Sequence, residues 1–206
     1  SVFSAGHDLK EMTSARQDMD GGREYFHKIL LKCSTVMQKI VDCPKPVIAE
    51  IGGVATASGC QLVASCDLAI ASTVAQFCTP GVNIGLFCST PMVALSRNLS
   101  NKHAMEMLLT GDMVSAARAA EIGLINKVVA PNELKSESMA LAKKISEKSG
   151  LTLALGKSAF YRQKEMALKD AYIYSAQVMV KNMMAHDAKE GIDAFIKKRK
   201  PIWLDE

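Results

Sequence analysis

Two stretches of this chain set small residues and polar side chains where backbone could meet a developing negative charge. The first is Phe3-Ser4-Ala5-Gly6-His7-Asp8-Leu9-Lys10-Glu11-Met12. A strand end, a glycine turn and an Asp opening a helix leave unpaired N–H groups facing one direction. The second is Gly52-Gly53-Val54-Ala55-Thr56-Ala57-Ser58-Gly59-Cys60-Gln61-Leu62. Here a strand passes through small residues into a helix start at Ser58-Gly59. Small residues let a ligand approach the backbone, and the helix N-terminus aims a positive dipole end at it. Either junction alone is what any strand–turn–helix connection offers. Together they could make an oxyanion hole, where losing one donor costs about 10²–10³ in rate.

Other side chains with usable chemistry lie further on. Gln61 can hydrogen-bond a water or a polar acyl group, and Thr79 and Asn83, on one loop, could do likewise. Cys88 and Ser89 follow Gly85 and read either as reactive groups or as a buried thiol and a helix N-cap. The run Lys197-Lys198-Arg199-Lys200 is either a solvated tail or a phosphate clamp. Six cysteines, Cys33, Cys43, Cys60, Cys66, Cys78 and Cys88, include no CxxC pair. Several sit in apolar runs, which fits reduced, small hydrophobes better than a disulfide framework or a zinc site. Met105, Met107, Met179, Met183 and Met184 fall at helical spacing and belong to core or subunit interface rather than to a binding box.

The elements that must hold these residues follow from pattern. With 206 residues and 49% apolar composition, the chain can bury a core, and wholesale disorder is not expected. A net charge of +4 is too small to argue for nucleic acid, and no aromatic stacking pattern accompanies the basic run. No apolar run reaches membrane-spanning length, and neither a signal nor a transit peptide opens the sequence. Helical spacing from about Asp20 to Asp42 ends at Pro44 and Pro46. Val47–Ile51 then reads as a buried strand, broken by Gly52-Gly53 and a small-residue loop. Ser58–Cys66 reads as a helix, Asp67–Ala71 as a strand, and Ala75–Cys78 as an apolar stretch ending at Thr79-Pro80-Gly81. Helices follow near Ser89–Arg97, Lys102–Leu109 and Ser115–Ile122, the last with Ser115 as N-cap and Gly123 as stop. After a short strand at Lys127–Val129 come helices over Asn132–Lys148 and Leu153–Met184, and another from about Asp187. The class is α/β or α+β, with a core over 1–130 and a helical subdomain over 131–206.

These residues also carry a resemblance. Phe3–Met12 is similar to the first oxyanion motif of the crotonase (enoyl-CoA hydratase/isomerase) superfamily, and Gly53–Leu62 with Ala64 and Cys66-Asp67 to its second. Ala75-Gln76-Phe77 with Thr79-Pro80 and Gly85 resembles the active-site strand and loop. Glu106–Gly111, with Ser115-Ala116, Ala119 and Gly123-Leu124-Ile125, resembles the helix pair that follows. Glu190-Gly191, Ala194-Phe195 and Lys198–Pro201 resemble the C-terminal signature. Five ordered motifs cover nearly the whole chain.

The resemblance implies a spiral of ββα turns, a helical trimerisation region, and a homotrimer or a hexamer built as a dimer of trimers. An acyl-CoA thioester would be substrate or ligand, with no other cofactor and no metal. Its carbonyl would bind between the backbone N–H groups of His7 and Ser58, with Ala5, Asp8, Leu9, Lys10, Ala57, Thr79, Asn83 and Ser89 around it. Phe195 and Lys198 would lie near the adenine and phosphates of the coenzyme, where cations favour phosphate esters. The family's opening ββα unit would be missing from this chain. The compartment implied is the mitochondrial matrix or a bacterial cytoplasm.

Two positions depart from the hydratase pattern. The two family glutamates that handle water and the α-proton are replaced by Gln61 and Gly81. Neither replacement transfers a proton near neutral pH, and such groups contribute about 10²–10⁴ in rate. The expectation is an acyl-CoA binder that is weak or inactive as a hydratase. Decarboxylation or thioester hydrolysis is expected ahead of efficient hydration, and a non-catalytic regulatory subunit stands as the alternative.

Overall fold

The computed structural model describes residues 2–206. The chain divides into two compact units, Ser1–Ile40 with Val47–Ser138, and Val41–Pro46 with Met139–Glu206. Strands and helices are numbered here in chain order.

Both sheets belong to the first unit. β1 (Val2–Ser4), β3 (Val54–Thr56), β5 (Gln76–Cys78) and β6 (Val114–Ser115) form one sheet in that order. Its first three strands are parallel, and β6 runs antiparallel to β5. β2 (Ile48–Ile51), β4 (Leu68–Ser72) and β7 (Lys127–Val129) form a parallel sheet. From β1 to β5 successive strands alternate between sheets: β2 leads through Gly52-Gly53 to β3, and β4 leads through Thr73–Ala75 to β5. The sequence pattern treats residues 54–57 as a loop, whereas Val54–Thr56 is a strand. Its pairing on both sides, with Val2 and with Gln76 opposite Val54, decides this. Three residues are too few for an alternating pattern to show.

This unit holds α1 (Leu9–Ser14), α2 (Arg23–Asp42) except its last two residues, α3 (Ser58–Ser65), α4 (Ser89–Asn98), α5 (Asn101–Thr110), α6 (Ala116–Glu121) and the first five residues of α7 (Leu134–Ser146). The predicted N-cap at Ser115 is present, its hydroxyl accepting from Arg118 N–H. Gly123 follows with φ +85°, as a helix stop requires. Ser89, by contrast, is the first residue of α4 and not its cap. Cys88 holds the cap position without a side-chain bond, and the Ser89 hydroxyl lies 3.3 Å from the Phe87 carbonyl. The core gathers Ile51, Ala55, Cys60, Val63, Phe77, Leu95, Met107 and Leu108 from both sheets and α3–α5. α3 is buried over Gly59–Gln61 and Val63–Ser65, and Asn98 at the end of α4 donates 2.7 Å to the Ala64 carbonyl.

The second unit holds α8 (Gly150–Gln163), α9 (Leu168–Met183) and α10 (His186–Ile196). The sequence predicts one helix over Leu153–Met184; the structure breaks it at residues 164–167. No glycine or proline marks the break. The two halves fold back on each other, so that Asn182 donates 3.2 Å to the Thr152 hydroxyl and Arg162 stacks 4.8 Å over the Tyr174 ring. Packing overrides a locally continuous helical preference.

Candidate active site

Because β1, β3 and β5 are parallel neighbours, their C-terminal ends share one sheet edge. Adjacent strands lie about 4.8 Å apart, so the loops after them stand side by side, near residues 5–8, 57–59 and 79–81. Side-chain and backbone bonds fix the set. Thr56 Oγ1 donates 3.1 Å to the Ala5 carbonyl, and Ala57 N–H donates 3.0 Å to the Cys78 carbonyl.

The first two loops approach closely because they are built from small residues. Gly6 has φ +86°, and a Cβ there would lie 3.0 Å from Ser58 Oγ and 3.3 Å from Ser58 N. A Cβ on Gly59 would fall on the Ser4 carbonyl oxygen and 2.7 Å from Ser4 Cβ. Only glycine lets the first turn of α3 sit against the end of β1. Ala57, between β3 and α3, is held at φ +49° and ψ −119°. That conformation is costly for a residue with a side chain and persists where the surrounding structure over-determines the backbone.

This packing leaves donors free. The Asp8 carboxylate caps α1, accepting from Lys10 N–H at 2.8 Å and Glu11 N–H at 3.4 Å. The caps of α3 include no side-chain bond. Among the described residues, neither the His7 nor the Ser58 backbone N–H has a hydrogen-bond partner. The side chains of the same two residues meet, with Ser58 Oγ 3.4 Å from His7 Nδ1, and both residues are half-buried. Ala5, Leu9 and Lys10 are exposed on the same loop and the start of α1.

Gln61 lies one turn into α3 and is 4% exposed. Its Oε1 faces the Cys33 thiol of α2 at 4.0 Å, a neighbour that helical spacing alone does not reveal. Gly81 is buried in a 3-10 turn over Pro80–Ile84. A Cβ there would lie 2.8 Å from the Leu86 carbonyl oxygen and 2.9 Å from the Cys88 thiol. The loop closes on itself through Leu86 N–H to the Gly81 carbonyl at 2.9 Å. Thus the space a side chain at 81 would use is filled by residues 86–88. Thr79 is fully buried, and its hydroxyl donates 2.9 Å to the Met107 carbonyl, anchoring the loop to α5 instead of facing a ligand. Asn83 is exposed beside Gly111. Burial pushes the Cys60 thiol up to about 12 and the Cys78 thiol up to about 11, with neighbouring thiols adding to both. Both are inert, protonated packing groups.

Phe195 and Lys198 belong to the second unit, and two of the four cations of the predicted phosphate clamp are paired there. Arg199 forks onto Glu190 at 2.6 and 2.8 Å and reaches Asp193 at 2.7 Å. Lys197 pairs with Asp193 at 2.9 Å. Lys198 is exposed in a left-handed conformation at φ +52°, and Phe195 is 84% exposed. Among the described residues, no group of three or more His, Cys, Asp or Glu side chains is placed to hold a metal.

The whole chain, residues 1–206, matches the enoyl-CoA hydratase/isomerase family. It is 53% identical over 202 residues to mouse (Mus musculus) enoyl-CoA hydratase domain-containing protein 3, mitochondrial, covering 98% of this chain and 66% of that protein. The human (Homo sapiens) protein of the same name is 50% identical over 205 residues, covering 100% and 66%. The chain therefore spans just under two thirds of the length of these curated relatives. Among solved structures, an enoyl-CoA hydratase of Mycobacterium smegmatis superimposes with a TM-score of 0.93 at 50% identity, covering 98% of this chain and 77% of that one. The human domain-containing protein 3 superimposes with a TM-score of 0.90 at 50% identity, covering 98% and 78%. The ordered motifs, the sheet edge that brings three of them side by side and this likeness in sequence and fold have one reading: the chain belongs to the enoyl-CoA hydratase/isomerase family.

Proposed function

We propose that this chain binds an acyl-CoA thioester and polarises its carbonyl between the backbone N–H groups of His7 and Ser58. The observation that carries this reading is the pair of unpartnered donors on adjacent loops, brought together by Gly6 and Gly59. Donors fixed before the substrate arrives need no reorganisation as charge builds on the oxygen. Their enolate-stabilising role serves any chemistry that places negative charge on a thioester oxygen. No cofactor beyond the thioester is required. Assembly as a homotrimer or a dimer of trimers, and a mitochondrial location like that in the names of its relatives, complete the proposal.

Hydration is a poor fit. Gln61 is an amide whose oxygen faces a thiol, and the place where a second carboxylate would rise is occupied by the Leu86 carbonyl and Cys88. Lacking both acid–base groups, the site is expected to hydrate slowly, by a factor of about 10²–10⁴ for each missing group. A catalytically silent binder of lipid or carboxylic-acid metabolism is the second reading, and the same two positions favour it.

The test is calorimetric binding of crotonyl-CoA together with its hydration on the same sample. Binding with slow hydration is expected, and Gln61→Glu should raise the hydration rate. Gly81→Glu is unsuited to restoring activity, because residues 86–88 would have to move. Rapid hydration by the unaltered chain would overturn the argument from the missing carboxylates. Absence of binding would overturn the acyl-CoA reading itself.

A further inference from the structure

The proposed carbonyl donors use only the backbone of His7 and Ser58, which leaves both side chains available. Ser58 Oγ and His7 Nδ1 lie 3.4 Å apart, at the junction of β3 and α3. A serine at a strand-to-helix turn, entered through a strained residue, with a histidine in reach and its own N–H free, is the arrangement of an activated nucleophile. The strained residue is Ala57 at φ +49°, and the missing side chain of Gly6, whose Cβ would lie 3.0 Å from Ser58 Oγ, leaves that hydroxyl approachable. Both side chains are half-buried, so the pair is neither sealed in the core nor free in solvent.

We propose that Ser58 and His7 form a catalytic dyad that hydrolyses the bound acyl-CoA thioester; this rests on the acyl-CoA reading above. In the neutral tautomer that carries its proton on Nε2, His7 accepts the Ser58 proton at Nδ1. Ser58 Oγ forms a bond to the thioester carbon, and the carbonyl π pair moves to oxygen, where the Ser58 and His7 N–H groups hold it. Collapse breaks the carbon–sulfur bond, and the departing coenzyme thiolate takes the proton from His7. The serine ester that remains is attacked by water, whose proton passes to His7 Nδ1. Collapse of the second tetrahedral species expels Ser58 Oγ, which regains that proton. One thioester and one water become one carboxylic acid and one thiol, with no redox change. Unlike hydration, the sequence needs neither of the carboxylates replaced by Gln61 and Gly81.

The test uses the full chain with butyryl-CoA, a saturated thioester that cannot be hydrated. Free thiol is followed with a chromogenic disulfide, binding by calorimetry, and the acylated peptide by mass spectrometry. Thiol release is expected, with a butyryl group on the peptide containing Ser58. Ser58→Ala keeps the backbone donor and should retain binding while losing both the adduct and thiol release. His7→Gln should slow release about 10²–10⁴-fold, and Ser58→Cys should restore a trappable acyl adduct. Melting curves for each variant exclude unfolding as the cause. Binding without thiol release or adduct, or unchanged release by Ser58→Ala, overturns the dyad alone. No butyryl-CoA binding by the unaltered chain overturns the dyad and the acyl-CoA reading together.

Discussion

At the scale of single residues, the candidate site is governed by where a side chain is forbidden. Gly59 presses against Ser4 and Gly6 against Ser58, so the two donors meet only because no Cβ intervenes. Gly59→Ala is therefore expected to destabilise the fold by about 1–3 kcal/mol through overpacking. If the proposed acyl-CoA chemistry holds, it should also weaken turnover, since a displacement of about 1 Å in such a site costs on the order of 10²-fold. Melting temperature and turnover measured on the same variant check this, and an unchanged melting temperature would contradict the packing argument. The motif around Gly59 was legible from the run of small residues. The fate of Thr79 was not, because its partner is the Met107 carbonyl, 28 positions away. The Cys33 thiol facing Gln61 was equally hidden, since its spacing on α2 reads only as part of an apolar stripe.

At the scale of elements, caps and strand pairing explain most boundaries. The Asp8 and Ser115 caps follow from local chemistry and were readable. β3 and the break between α8 and α9 follow from neighbours and were not. One helix carries an uncompensated polar group. The Ser138 hydroxyl in α7 is buried and has no hydrogen-bond partner among the described residues. A buried hydroxyl left unpaired costs about 1–3 kcal/mol, and alanine is the better helix former. Ser138→Ala should thus stabilise the protein by about 1 kcal/mol, read as a higher denaturant midpoint at constant slope. A lower midpoint would mean that the hydroxyl has a partner in solution.

At the scale of the whole molecule, the second unit is closed by its own C-terminal tail through carboxylates. Asp187, buried at the start of α10, accepts from Leu204 N–H at 2.9 Å and Asp205 N–H at 3.1 Å. Glu190 accepts from Arg199 and from Ile202 N–H at 2.9 Å. The bond from Ser149 first, then those from the tail amides, holds the Asp187 carboxyl below the usual range. The Arg199 bond first, then that of Ile202, brings the Glu190 carboxyl from 4.5 to about 2. Folded values below unfolded ones mean stabilisation that is fully present above the unfolded values. It is lost as pH falls from about 4.5 toward 2, where the native carboxylates protonate. The protein's one tryptophan, Trp203, donates 2.8 Å to the Glu147 carbonyl and reports on this closure. Its fluorescence should change in that acid window, and Glu190→Gln should move the transition to higher pH. An identical transition in the variant would remove Glu190 from the account.

The sequence by itself determined the class of the fold and the two small-residue loops proposed to hold the thioester carbonyl. Glycines, caps and apolar runs act within a few residues of one another, and that information is local. It also exposed the replacement of two carboxylates by Gln61 and Gly81. Tertiary structure alone decided what those positions can do. Whether a side chain fits at 81 depends on the Leu86 carbonyl and the Cys88 thiol, and whether His7 reaches Ser58 depends on β1 pairing beside β3 across 51 residues of chain. Contacts of that range are set by packing, because no short-range preference links residues so far apart.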